Sequence, residues 1–331
     1  MEIIKHIKVP TGDILIVKGE LGQLEMLSLG DYGKDINIKA NFLNLERIPQ
    51  PVKHQQLMPL TEKWVITIST QYGCSMRCNF CDVPKVGPGK NATFRDLTDQ
   101  VITGIRLHPE IQSTKRLNIH FARMGEPTWN PNVLDAAKWF KDHIDPEYKV
   151  HPVVSTMMPR KNIWLKTFIH NWARIKNRLY GGNAGLQLSI NSTNENERQE
   201  MFSGNACTLK EISQIMEGII PAGRKITLNF AVGPYEINPE ILLEHFNPRD
   251  FLIKLTPLHK TNACLDNQII SPGDYTTYEP YEEYEKNLRI AGYDVLVFIA
   301  SIEEDLSRIT CGNAILSGTL PFDTMEKINV K

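Results

Sequence analysis

Apolar and polar positions alternate along this chain in two rhythms. Through the first sixty residues, short β-rich runs at Glu2 to Val9, Asp13 to Val17, Leu24 to Leu29 and Ile36 to Phe42 are separated by turn signals at Pro10-Thr11-Gly12 and Gly30-Asp31. These runs predict a small β-rich N-terminal extension. Pro49 to Pro59 holds three prolines and little periodicity, so it reads as a surface linker closing a first unit of residues 1–60.

From Trp64 the rhythm changes to apolar strands separated by longer amphipathic stretches. Strands are predicted at Trp64 to Thr70, Leu117 to Phe121, Val150 to Ser155, Gly185 to Asn191, Lys225 to Val232, Phe251 to Thr256 and Asp294 to Ala300. Helical periodicity marks Thr98 to Leu107, Val133 to His143, Leu209 to Ile219 and Tyr281 to Ala291. Repeated β-then-α units imply an α/β unit of residues 61–331 with a parallel sheet, open or curled into a full or partial barrel. In such barrels chemistry sits at the C-terminal ends of the strands. Polar clusters follow the strands here: Gln71-Tyr72-Gly73-Cys74, then Arg123-Met124-Gly125-Glu126, then Thr156, then Asn191-Ser192.

Composition adds exclusions. With 331 residues, 41% hydrophobic and 23% charged, the chain is long enough for a substantial core and unlike disordered or fibrous sequences. A formal charge of −1 removes the global basic footprint of a nucleic-acid binder but leaves room for a local patch. No window approaches the ~18 consecutive apolar residues of a membrane span, and the first residues lack the apolar core of a signal peptide. A cytoplasmic address is expected, with no membrane partner.

Three of the six cysteines lie together, as Cys74, Cys78 and Cys81, with the spacing C-x3-C-x2-C after the first strand of the α/β unit. A tight loop can present three thiolates to one [4Fe-4S] cluster, and since four cysteines saturate such a cluster, one iron stays open. Zinc and plain buried thiols are the alternatives. A closed zinc site wants four ligands, usually from paired C-x2-C knuckles, and no second pair occurs.

This motif resembles the signature of the radical S-adenosylmethionine (SAM) superfamily. The resemblance implies a partial (β/α) barrel, a [4Fe-4S] cluster on Cys74, Cys78 and Cys81, and SAM chelating the open iron. One electron then cleaves SAM to a 5′-deoxyadenosyl radical. Met124-Gly125-Glu126-Pro127 followed by Asn130 looks like the family segment that receives the SAM amino group. Val154-Ser155-Thr156 and Leu188-Ser189-Ile190-Asn191 look like later SAM-contacting strand ends, and Thr310-Cys311-Gly312-Asn313 looks like a C-terminal Ala-Cys-Gly-Gln segment. Together these are similar to the RlmN/Cfr family of RNA adenine methyltransferases. By resemblance, Gly125, Glu126, Ser155, Ser189 and Asn191 bind SAM and Cys311 is the catalytic cysteine that carries the methyl group.

Departures accompany the likeness. Where the family has a second cysteine that releases the product, this chain has Thr67, and threonine cannot form a disulfide. An acidic family residue is replaced near His54, and an asparagine by His259. Cys207 and Cys264 are the thiols left to replace the missing one. The segment Arg160 to Tyr180 mixes Arg160, Lys161, Lys166, Arg174, Lys176 and Arg178 with Trp164 and Trp172, which suits an RNA backbone and unstacked bases, in rRNA or tRNA; a solvated helix face is the other reading. A second basic group is Lys85, Lys90 and Arg95. A one-electron reductant such as flavodoxin is the expected partner. Two further readings stay open: a radical SAM enzyme acting directly on a nucleotide, small molecule or peptide, and a non-catalytic iron-sulfur or SAM-binding regulator.

Overall fold

The computed structural model describes residues 1–31, 57–270, 277–300 and 302–321. Ile36 to Phe42, most of the proline-rich linker, and His54 lie outside the described residues. Twelve strands occur among them: β1 (Glu2–Val9), β2 (Gly12–Gly19), β3 (Gly22–Leu29), β4 (Trp64–Ile68), β5 (Gln71–Gly73), β6 (Pro88–Asn91), β7 (Leu117–Phe121), β8 (Val150–Thr156), β9 (Gly185–Ser189), β10 (Ile226–Val232), β11 (Phe251–Pro257) and β12 (Asp294–Val297). All but β5 and β6 form one sheet in the order β1-β2-β3-β4-β7-β8-β9-β10-β11-β12. From β4 to β12 every pairing is parallel, whereas β1, β2 and β3 form an antiparallel meander whose last strand pairs antiparallel with β4. Spatial order follows chain order throughout, as in a sheet that curls in one direction. The β-rich N-terminal stretch is thus the edge of the same sheet.

Alternation along the parallel strands builds two layers. One face carries Trp64, Ile66 and Ile68, then Ile119 and Phe121, then Leu186 and Leu188, then Leu228 and Phe230, then Ile253 and Leu255, all buried in one core. Helices cover that face, among them Phe94–Arg106, Asn132–His143 and Leu165–Arg174. Burying an apolar side chain of this size contributes roughly 1.5 to 3 kcal/mol each, so this face supplies much of the driving force for folding. Residues of the opposite parity point inward and are mostly polar: Thr67, His120, Ser155, Gln187, Asn229, Lys254 and Thr256.

The helices begin where local chemistry tells them to. Thr93 caps Phe94–Arg106 in a capping box with Asp96, and Thr208 caps Leu209–Met216 in another with Glu211. The predicted helices at Thr98 to Leu107 and Leu209 to Ile219 fall within or overlap these elements, the first starting four residues earlier at its cap and the second ending three residues sooner.

Candidate active site

The inward polar side chains surround a cavity of about 270 Å³ at the C-terminal ends of the parallel strands. Ser155, Ser189, Asn191 and Cys311 all line it, although they come from three separate places in the chain. Asn191 takes a left-handed backbone, φ 61°, which asparagine tolerates, and its Oδ1 accepts a hydrogen bond from the Ala231 N–H at 3.0 Å.

Gly125 and Glu126 sit behind this cavity wall, against the cysteine loop. Gly125 has φ +95° and approaches Gln71 so closely that a Cβ would lie 2.5 Å from the Gln71 Cβ, so only glycine fits. The Glu126 carboxylate is buried. Its Oε1 accepts from Thr128 N–H (3.1 Å), the Thr128 hydroxyl (2.7 Å) and the Thr156 hydroxyl (2.7 Å), and its Oε2 accepts from Met157 N–H (2.8 Å). Burial raises its pKa while these donors pull it down. With three donors on one oxygen and one on the other, Oε2 keeps capacity for a further donor.

Cys74, Cys78 and Cys81 are free thiols on the loop after β4 and β5. Burial pushes Cys74 up to about 12 and raises Cys78 and Cys81 well above the usual thiol range, and the thiols raise one another's values by mutual repulsion. Bare, they are neutral; a metal centre is what makes such thiols ligands. Among the described residues no group of three His, Cys, Asp or Glu side chains is arranged to hold a metal ion as it stands, so the choice between zinc and a cluster rests on the number and spacing of the thiols. Three neighbouring, unpaired thiols on one loop fit a cluster that needs only three protein ligands, and a fourth thiol, Cys311, lies near enough to raise the pKa values of Cys78 and Cys81.

Cys311 lies on a segment seated directly on that loop. The Asp82 N–H donates to the Gly312 carbonyl at 2.8 Å, and the Thr261 hydroxyl donates to the Phe80 carbonyl at 2.7 Å. Gly312 has φ +86°, and a Cβ there would meet Thr261 at 3.1 Å. Cys311 is an exposed residue whose thiol lines the cavity; lost hydration of that thiol raises its pKa while the charges of Lys254 and Arg123 pull it down.

Two networks hold this segment. Arg123, after β7, bonds Glu25 of β3 through Nε at 2.9 Å and also donates to the Arg308 carbonyl at 2.6 Å. Glu25 accepts from the N–H groups of Ile315 (3.2 Å) and Leu316 (3.0 Å). On the other side, Asp305 accepts from the Thr310 hydroxyl at 2.6 Å and lies 2.8 Å from His259 Nδ1. Asn313 donates to Thr310 and accepts from Arg308, both at 2.7 Å.

Other expectations resolve differently. Thr67 does line the cavity that Cys311 lines, but Cys207 and Cys264 do not reach it: both are buried, and the Cys264 Sγ sits 3.6 Å from the Phe80 carbonyl. Neither is placed to replace the missing thiol. The basic stretch also divides. Trp172 is core, its indole N–H on the Gly185 carbonyl; Lys176 is buried on the Gly182 and Ala222 carbonyls; Arg160 pairs with Glu211. What stays exposed is Lys161, Ile163 (86%), Trp164 (67%) and Lys166, on the loop just beyond β8 and the start of the following helix, with Arg174 and Arg178 further along. Lys85 is paired with Asp82 and Asp266. No helix of the described residues is long and apolar enough to cross a membrane.

The sequence reading missed Gln187, Asn229 and Lys254 as cavity residues. Their signal was present as strict alternation, in Leu186-Gln187-Leu188-Ser189, Leu228-Asn229-Phe230 and Ile253-Lys254-Leu255.

Comparison with known proteins agrees with the motif. No family model matches the chain. Over 240 residues, 70% of its length, it is 30% identical to the ribosomal RNA large subunit methyltransferase Cfr of Staphylococcus aureus, of which the match covers 63%. Over 81 residues it is 38% identical to the dual-specificity RNA methyltransferase RlmN of a Nitratiruptor species, covering 22% of that protein. The chain thus spans less than two thirds of the relatives it matches. The crystal structure of a radical SAM methyltransferase from Sphaerobacter thermophilus superposes with a TM-score of 0.65 at 18% identity, covering 94% of this chain and 80% of that one. The chain is therefore similar in sequence to the RlmN and Cfr proteins and shares its fold with a radical SAM methyltransferase.

Proposed function

We propose that this chain is a radical SAM iron-sulfur enzyme that methylates an adenine in RNA, with Cys311 as the methyl carrier. The observation that carries the reading is the convergence of Cys311, Ser155, Ser189 and Asn191 on one cavity, with the Cys311 segment seated on the three-cysteine loop. Cys74, Cys78 and Cys81 would hold a [4Fe-4S] cluster, which when bound supplies the single electron for SAM cleavage, delivered by a reductant such as flavodoxin. Glu126 would take the SAM ammonium group on its spare Oε2 capacity. Gly125 keeps the backbone close to Cys74, while Ser155, Ser189 and Asn191 offer polar groups to the rest of SAM. Cys311 would lose its proton and accept a methyl group from the SAM sulfonium, a displacement for which a thiolate is a competent nucleophile. Lys254 and Arg123, which both favour the Cys311 thiolate, assist that ionisation.

RNA is favoured as substrate by the exposed Trp164 flanked by Lys161 and Lys166 beside the strand ends, an aromatic platform with phosphate-binding charges. The test is anaerobic reconstitution of the full chain. Wild type is expected to bind about four irons, Cys74→Ala, Cys78→Ala or Cys81→Ala to lose them, and Cys311→Ala to cleave SAM but methylate nothing. Retained iron in the cysteine variants refutes the cluster. Binding to RNA should fall with salt and fall further in Trp164→Ala.

A second reading is favoured by one observation: Thr67 stands where the related enzymes have their second cysteine, and no other thiol reaches the cavity. In that reading the enzyme abstracts hydrogen directly from a small molecule, nucleotide or peptide. Full turnover by Cys311→Ala selects it.

A further inference from the structure

The cations buried around this sheet have protein partners. Arg123 has Glu25 and the Arg308 carbonyl; Arg198 has the carbonyls of Ile190 and Cys207; Lys176 has those of Gly182 and Ala222; Arg308 has Asn313. Lys254 has none of these. Its ammonium group lies 5.2 Å from the centre of the Phe298 ring, and no hydrogen bond or ion pair to it occurs among the described residues. Lys254 is half-buried at the cavity wall, and a charge partly withdrawn from water without a partner is costly, so the site favours an anion that reaches it.

The neighbours indicate what that is. Pairing of the strands sets Ser189 beside Asn229, and Asn229 beside Lys254, so that a hydroxyl, an amide and an ammonium form one level row across β9, β10 and β11. All three line the cavity that Cys311 faces, and none of the three side chains has a hydrogen-bond partner among the described residues. Adjacent strands are about 4.8 Å apart, a spacing at which three donors can converge on one group. No carboxylate stands in the row to neutralise Lys254. We propose that Ser189, Asn229 and Lys254 form a subsite for one anionic oxygen group, a carboxylate or a phosphate, of a molecule held in the cavity. The proposal rests on the reading of this cavity as the reaction chamber. Two sources of that anion are open to test: the methionine carboxylate of SAM, and an acidic group on the substrate.

Binding of SAM and of inorganic phosphate to the full-length, cluster-loaded protein, measured by equilibrium dialysis, distinguishes them. Lys254→Met is expected to weaken one of the two probes by about tenfold or more, the loss of one charge-assisted contact, Asn229→Ala to weaken the same probe less, and Lys254→Arg to restore most of the affinity. Loss confined to SAM, absent with decarboxylated SAM, assigns the cofactor carboxylate. Loss confined to phosphate assigns a substrate anion. Thermal melting of each variant checks that it is folded. The subsite is refuted if folded Lys254→Met binds both probes within about twofold of wild type, or if wild type binds neither. A wild-type protein that takes up no iron and no SAM refutes the functional reading instead, and the phosphate arm still tests the row.

Discussion

Arg123 and Lys254 both direct positive charge toward Cys311, yet the molecule surrounds them in opposite ways. Arg123 is closed in: the carboxylate of Glu25 meets its guanidinium, and the Arg308 carbonyl takes a further N–H. Lys254 is left open to a cavity, over an aromatic ring, with burial and the nearby charges of Arg224 and Lys63 pushing its pKa down to about 8. The first arrangement spends charge on architecture, joining β3 of the N-terminal meander to the C-terminal cysteine segment. The second leaves charge available to a visitor. The lesson is that a buried ion pair and an unpaired, half-buried charge facing the same chamber carry different information: one marks what must stay fixed, the other what is open to a ligand.

The largest effect should come from breaking the closed pair. Glu25→Ala leaves Arg123 buried without its carboxylate and removes the acceptor of two backbone N–H groups, so a loss of about 3 to 5 kcal/mol in unfolding free energy is expected by chemical denaturation. Replacing both partners, Glu25→Leu with Arg123→Met, should recover part of that loss. If Glu25→Ala costs less than about 1 kcal/mol, the clamp is not structural.

A milder change tests whether the clamp also holds Cys311. Arg123→Lys can keep an ion pair with Glu25 but lacks the planar fork that reaches the Arg308 carbonyl as well. Alkylation of Cys311 by iodoacetamide, followed by mass spectrometry, should accelerate by roughly threefold to tenfold, the effect of losing about one hydrogen bond, while Cys207 and Cys264 stay protected. An unchanged rate would separate the clamp from the cysteine.

Removing the open charge should behave in the contrary way. Lys254→Met deletes an unpaired charge and leaves no buried partner behind, so stability at pH 7 should be unchanged or higher by up to about 1 kcal/mol, and a clear destabilisation would mean Lys254 has an internal role. The pH dependence supplies the smallest and most specific effect. The folded-state value of about 8 lies below the ordinary lysine value, so between pH 8 and about 10.4 the unfolded chain binds the extra proton and wild-type stability rises with pH. The advantage of Lys254→Met should therefore shrink across that window, by an amount on the order of 1 kcal/mol once solvent in the cavity is allowed for. A constant difference would contradict the lowered value.

Much of this was legible in one dimension. Strand positions, their order and the C-x3-C-x2-C loop follow from local rhythm and spacing, because each is written within a few consecutive residues. Three of the four N-terminal runs proved to be strands with nearly the expected bounds. The basic stretch misled in part because local composition does not say which face of a helix turns inward: Trp172 and Lys176 fall on the buried side, Trp164 and Lys166 on the exposed one. Cys207 and Cys264 were indistinguishable from functional thiols until burial separated them from Cys311.

The sequence by itself determined the α/β alternation, the thiol loop and the candidate strand ends, since side-chain period and turn chemistry act over short range. Only the tertiary structure decided that β3 belongs to the same sheet, that Glu25 reaches residues 290 positions away to brace Cys311, and that Lys254 stands without a hydrogen-bonding or ionic partner among the described residues. Those outcomes depend on how strands pair and which parity faces inward, and pairing is settled by the burial of the apolar face as a whole rather than by any one segment.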